Sequence, residues 1–233
     1  GQEEIGSPTL APFVKANAEL LRADMIVSAD GSQYGEDQPS LIRGLKGLMG
    51  CEICVTGAKG DQHSGMHGGG IANPVHALSH LIASMKDLEG KINIEGFYDD
   101  VEELKVADRK AIAEIPFDDG EYAKGLGVPE TFGEVGYTTA ERLAARPTLE
   151  LNGMWGGYQG KGIKTVLPSK AYAKITCRLV ANQKPDKIYE LIKAHIEGNT
   201  PPGVKIDVNP LPAKADPFLV PRGHNSSEVA GQV

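Results

Sequence analysis

Residues 60–81 read G-D-Q-H-S-G-M-H-G-G-G-I-A-N-P-V-H-A-L-S-H-L. The alternating run 51–56 before them predicts a strand, and the run after them predicts a helix. Asn73 is a good cap, and Pro74 falls at the first helical position, where a missing N–H costs nothing. Val75, Leu78, Ile82 and Met85, with Leu81 beside them, form an apolar stripe at helical spacing. A glycine-rich loop held between strand and helix therefore presents His63, with Asp61 before it and Ser64-Gly65 after it.

Outward from this stretch the chain continues in the same style. A long middle segment, 91–146, precedes predicted strands at 148–154 and 166–180, a helix at 185–197 and a strand at 204–208. Apart from the middle segment this is a β-α-β-β-α-β order, the ferredoxin-like split βαβ within an α/β chain. In the longest strand Ala171, Ala173, Ile175, Cys177 and Leu179 point one way, and Tyr172, Lys174, Thr176 and Arg178 the other. One face is thus buried under two helices, and the polar face carries Arg178. A guanidinium there suits either a salt bridge or a substrate carboxylate. Within the middle segment, 108–115 and 139–145 read as short helices with 120–136 as loop.

Upstream, Ser7 is placed to cap a helix with Pro8 at its first turn, and Leu10, Phe13, Val14, Leu20 and Leu21 form its apolar face. Met25-Ile26-Val27 reads as a short buried strand ending in Ser28-Ala29-Asp30-Gly31. Glu3, Glu4 and Asp30 then collect at one sheet edge, where open α/β sheets bind ligands. By spacing alone they suit helix starts and turns better than a metal. The expected organisation is 1–45 as part of a catalytic α/β domain, 46–213 as a complete smaller domain with the insertion at 91–146, and 214–233 as a return segment. A chain that opens inside one α/β unit and stops on entering another reads as a fragment.

Composition narrows the function. With 233 residues, 40% hydrophobic and 24% charged, this is ordinary globular material. A net charge of -7 without a basic, aromatic stripe disfavours nucleic acid. No apolar run approaches a membrane span, and the first residues are not a signal peptide. Three cysteines make no disulfide framework. Cys51 and Cys54 face opposite sides of a strand, so they read as packing residues in a reducing, cytoplasmic setting. The glycines at 65 and 68–70 meet neither nucleotide-binding pattern. His76 and His80 have zinc-ligand spacing but lack the intervening glutamate of a zinc protease, and they suit a solvent or subunit-contact face better. His195 reads as structural.

Several short stretches, in order along the chain, resemble the di-zinc aminoacylase, carboxypeptidase and dipeptidase family. These are Gly1-Gln2-Glu3-Glu4-Ile5-Gly6-Ser7, Ser28-Ala29-Asp30-Gly31, Asp61-Gln62-His63-Ser64-Gly65, Lys164-Thr165-Val166-Leu167-Pro168 and Cys177-Arg178-Leu179-Val180. Gly96-Phe97-Tyr98-Asp99-Asp100 and Thr138-Thr139-Ala140-Glu141-Arg142 resemble its carnosinase-like branch. The resemblance implies a ferredoxin-like lid, or dimerisation, domain flanked by pieces of a zinc-peptidase catalytic domain. It implies two zinc ions, with Glu4 and Asp30 ligating one each and Glu3 as general base. His63 acts in this picture on the scissile carbonyl from the opposite subunit of a lid-mediated homodimer. Arg178 holds the substrate carboxylate, with Thr165 nearby. The expected substrate is a small peptide or N-acyl amino acid. The remaining family ligands lie outside residues 1–233, so the chain alone is expected to be inactive and to hold no zinc tightly. The family's histidine near the end of the last lid strand is replaced by Val208-Asn209-Pro210-Leu211-Pro212, which argues against a carnosine-like substrate. A stand-alone, non-catalytic homodimerisation module is the rival reading.

Overall fold

The computed structural model describes residues 2, 7–28, 37, 40–221 and 223–231. It divides into two units, Gly1–Ser40 and Leu41–Val233. Glu3, Glu4 and Asp30 lie outside the described residues.

The first unit holds α1 (Leu10–Ala16), whose N-cap is Thr9, without a side-chain cap bond. Ser7, the expected cap, instead has φ of 46°. None of α1 is buried, and Met25, Ile26 and Val27 form no strand and stand exposed. An extended run becomes a strand only where a neighbour takes up its N–H and C=O groups. Among the described residues of this unit there is no strand to do so.

The second unit opens with β1 (Gly44–Leu45), β2 (Gly47–Thr56), β3 (Gln62–His63), α2 (Ser64–His67) and α3 (Pro74–Met85). The insertion contributes α4 (Val106–Ala113), α5 (Asp119–Leu126) and α6 (Thr139–Ala145). Then come β4 (Thr148–Gly156), β5 (Val166–Leu167), β6 (Lys170–Leu179), α7 (Pro185–Gly198), β7 (Lys205–Ala215), β8 (Phe218–Leu219) and α8 (Asn225–Ala230). Four strands form one antiparallel sheet in the order β4-β6-β2-β7, the arrangement expected of a split βαβ pair. β1 pairs with β8, and β3 with β5, as two small ribbons.

The core lies on one side of the sheet. Ala171, Ala173, Ile175, Cys177 and Leu179 of β6 are fully buried, as the alternation predicts. Leu78, Leu81 and Met85 of α3 and Ile188, Ile192 and Ile196 of α7 cover them. Ser84 Oγ of α3 lies 2.9 Å from His195 Nε2 of α7, so His195 bridges the helices, the structural role expected of it. Cys51 and Cys177 are buried and free, and burial pushes the Cys51 thiol up to about 12. Cys54 faces the other side, half-buried.

β2 starts four residues earlier than the expected strand 51–56, and three further departures have a plain physical cause. The strand expected over 166–180 breaks at Pro168, which has no N–H for the ladder, and its halves join different sheets. β7 runs on through Pro210 and Pro212 because it is an edge strand, where proline is tolerated. A helix, α5, occupies part of the expected loop. Gly120 and Gly125 mask it in sequence, yet the Asp118 side chain caps Glu121 N–H at 2.8 Å and Gly127 closes it at φ of 70°.

The insertion is organised by buried charge. Arg146 bonds both carboxylate oxygens of Glu134 at 2.8 and 2.7 Å, and its guanidinium lies 4.2 Å from the Tyr137 ring centroid and 5.1 Å from that of Tyr98. Arg109 bonds Glu141, which also closes a capping box with Thr138. Lys46 Nζ donates to the carbonyls of Arg142 in α6 and of Arg146 at its C-cap, at 3.1 and 2.7 Å, and so ties the insertion to the start of β2. Glu134→Ala leaves a buried guanidinium without its carboxylate and should cost about 3–5 kcal/mol. Replacing Glu134 and Arg146 together by Met should recover most of that loss, read as the urea midpoint of each variant.

Candidate functional site

The loop after β2 is stitched to the segment between β4 and β6. Gly57 N–H donates to Ser169 O at 2.9 Å as the chain leaves the sheet. Asp61 Oδ1 accepts from both the N–H and the hydroxyl of Ser169, at 2.8 and 3.0 Å. These bonds hold the Asp61 carboxyl below its usual range. Gln62 then pairs with Leu167 and His63 with Val166, and Ser64 N–H reaches Thr165 O at 3.1 Å. The far end of the loop is fixed where Asn73 caps α3, its Oδ1 2.9 Å from Val75 N. A Cβ on Gly57 would stand 2.8 Å from Pro74 Cγ, so both ends of the loop meet there.

This framework presents an exposed imidazole. Nδ1 of His63 accepts from Gly65 N–H at 3.1 Å, and Nε2 lies 3.2 Å from Thr165 Oγ1. Thr165, expected near Arg178, therefore stands beside His63 instead. The ladder explains the difference: β5 pairs with β3, while Arg178 lies near the far end of β6, beyond the break at Pro168.

Arg178 is exposed on the sheet face opposite the helices, with Leu48 and Thr148 as cross-strand neighbours. Among the described residues no carboxylate pairs with its guanidinium. Its charged neighbour is Lys46, which burial and then the Arg178 charge push down to about 8. With no carboxylate ion-paired to this guanidinium among the described residues, and Glu150 on the same face one position diagonal from it, opposite Thr176, Arg178 is available to an anion brought from outside the sheet. The eight steps of extended chain from Lys170 to Arg178 span roughly 26 Å at ~3.3 Å per residue. His63 and Thr165 thus sit at one end of the sheet and Arg178 at the other.

His76 and His80 are exposed on the outer side of α3. Among the described residues no group of three or more His, Cys, Asp or Glu side chains could hold a metal ion. The described residues therefore do not make a metal centre, and the expected ligands Glu4 and Asp30 fall outside them. Asp61, Gly65 and Lys46 carry positional roles that sequence reasoning did not assign. The first two flank His63 in D-x-H-S-G, the one signal that pointed toward them.

Residues 43–204, more than half of the chain, match the family model described as the peptidase dimerisation domain of M20 peptidases. The chain belongs to that M20 dimerisation-domain family. Among curated relatives of this M20 domain, the Cys-Gly metallodipeptidase dug1 of Schizosaccharomyces pombe is 30% identical over 198 residues, covering 84% of this chain and 42% of that protein. The Beta-Ala-His dipeptidase of Rattus norvegicus is 28% identical over 199 residues, again 84% of this chain and 40% of the relative. The M20 family metallo-carboxypeptidase Sso-CP2 from Sulfolobus solfataricus superposes with a TM-score of 0.79 at 34% identity, over 94% of this chain and 49% of that one. Human carnosine dipeptidase 1 shares the fold, with a TM-score of 0.80 at 24% identity. The chain thus spans about half or less of the length of the relatives it matches.

The Asp61–Ser169 clamp has a pH signature. The folded carboxyl titrates below its unfolded value of about 3.9, so its contribution is present above that pH and is lost as the pH falls through the lower, folded value. Asp61→Asn should weaken the clamp at neutral pH, seen as faster amide exchange at Ser169 and Gly57 with exchange in β2 and β6 unchanged.

Proposed function

We propose that this chain is the dimerisation domain of a zinc-dependent dipeptidase or N-acyl amino acid amidohydrolase, and that each active site draws on two copies of it. The observation that carries this reading is the separation of His63 and Thr165 from Arg178 by the length of the sheet. A dipeptide is far shorter than ~26 Å, since two extended residues span at most about 7 Å. One substrate therefore meets both sets of side chains only if they come from different subunits. His63 supplies a hydrogen bond to the scissile carbonyl as it gains negative charge, and Thr165 keeps the imidazole in place. Arg178 of the other subunit takes the substrate carboxylate, with Lys46 adding positive potential behind it.

Glu3 takes the proton of the attacking water, and Glu4 and Asp30 are metal ligands completed by groups outside the described residues. Two zinc ions supply the Lewis acidity when bound. The homodimer forms about a two-fold axis through the outer side of α3 and the β4 edge beside it. His76, Ser79 and His80 are exposed there, and Leu151, Met154 and Trp155 are partly exposed along the edge. We place the protein in the cytoplasm, in keeping with three free cysteines. Among the described residues no helix is long and apolar enough to cross a membrane.

Mixing two impaired variants, assayed at substrate well below KM, tests the proposal in the full-length protein. His63→Ala should lose about 10²–10³ in turnover, and Arg178→Met should raise KM sharply. In a mixed dimer one site combines the intact Arg178 of one chain with the intact His63 of the other, while the second site carries both lesions. Refolding the two variants together in equal amounts should restore roughly a quarter of wild-type activity, given random pairing in a two-fold dimer. No recovery in samples that contain heterodimers by mass spectrometry would rule out a site shared between subunits.

A further inference from the structure

The contacts around His63 define more than its position. We propose that Gly65 is a positioning residue that fixes His63 as the Nε2–H tautomer, so that the ring serves as a hydrogen-bond donor and not as a base. The inference rests on the dipeptidase reading for its consequence in catalysis, but its evidence is local.

A neutral imidazole has one N–H donor and one acceptor nitrogen. The Gly65 backbone N–H can only donate, and it lies 3.1 Å from Nδ1. Nδ1 must then be the acceptor, and the proton must be on Nε2. On the other side Nε2 lies 3.2 Å from Thr165 Oγ1, a hydroxyl whose lone pairs can take that proton's bond. Both partners belong to a single frame. Ser64 N–H bonds Thr165 O at 3.1 Å, and His63 pairs with Val166. The ring is therefore held from the β3 side by its own turn and from the β5 side by the threonine.

The turn also explains why residue 65 carries no side chain. A Cβ built on Gly65 would stand 2.7 Å from His63 Cε1 and 3.1 Å from Nδ1. The first distance is shorter than non-bonded carbons tolerate, so any larger residue must push the ring away from the amide that orients it. Glycine is needed here for close approach, not for an unusual φ. The chemical consequence is a division of labour. A histidine already protonated at Nε2 cannot accept a proton there, whereas it can donate toward a carbonyl oxygen that becomes an oxyanion once that oxygen replaces Thr165 Oγ1 as the acceptor. Proton abstraction is left to another group, the role proposed for Glu3.

The ring nitrogens can be read directly in the isolated chain. Long-range proton–nitrogen spectra of the ¹⁵N-labelled protein at about pH 8.5, above the ordinary histidine range, should show His63 with a bare Nδ1 and a protonated Nε2. The signals are assigned by their loss in His63→Gln. In Gly65→Ala the two nitrogens should move toward the averaged values of a ring that exchanges tautomers. The Gln62 and Leu167 amides should keep their shifts, which shows that the β3–β5 ladder survives. A protonated Nδ1 in the wild-type chain, or a ring spectrum unchanged in Gly65→Ala, would overturn the proposal, and the first of these needs no variant to fold. In the full-length enzyme Gly65→Ala should lower kcat toward the His63→Ala value with KM nearly unchanged. If His63→Ala itself leaves kcat unmoved, the dipeptidase reading fails, while the ring spectrum still decides the tautomer.

Discussion

An extended strand cannot be shortened, and the length of β6 is the constraint on which the rest of this structure depends. Its alternation buries five residues under two helices and leaves Arg178 on the open face near one end. Its other end begins at Lys170, next to the Ser169 that anchors the His63 loop. The rigidity of a four-stranded sheet thus holds two groups of polar side chains apart. Neither group has the partners of a finished site. His63 and Thr165 lie in the open, and Arg178 faces solvent beside another cation.

The two ends are built differently. At the His63 end the backbone does the work: a two-residue ribbon, a carboxylate accepting from one serine twice, and a glycine amide aimed at an imidazole nitrogen. Such a network orients a side chain without burying it. At the Arg178 end the support comes from the insertion. α6 lends its terminal carbonyls to Lys46, and the helix is held by ion pairs of which Arg146 and Glu141 are almost fully buried. Buried pairs of this kind add little net stability over apolar packing, but they penalise any arrangement that separates them. The insertion therefore acts as a brace that sets where Lys46 stands.

Much of this was legible in the sequence, for identifiable reasons. The β6 residues that alternate in sequence alternate in burial, and Pro74 and Pro185 open the two covering helices. His63 and Arg178 could be singled out because a strand's period and a short motif are local signals. What escaped was non-local or masked. Pro168 breaks a run whose alternation otherwise continues, and only the pairing of β5 with β3 shows where the first half goes. The glycines of α5 hide its caps. The contacts of Asp61 with Ser169 and of Lys46 with α6 join residues about a hundred positions apart, and no local pattern encodes them. Met25-Ile26-Val27 looked like a buried strand because apolar composition signals burial without naming a partner. Within one chain the ladder puts Thr165 with His63, a contact no local pattern encodes.

The central claim is that the His63 end of one chain approaches the Arg178 end of another. Distances between spin labels test it without any enzymatic readout. With Cys54 replaced by Ser, one chain is labelled at an introduced Lys59→Cys and its partner at Leu45→Cys, both exposed positions at opposite ends of β2. The separation between subunits is then compared with that in a single chain carrying both labels, diluted into unlabelled protein. A shorter distance between subunits than within one is the result the account predicts. A distance between subunits equal to or longer than that within one, or no dimer signal at high micromolar concentration, would contradict it.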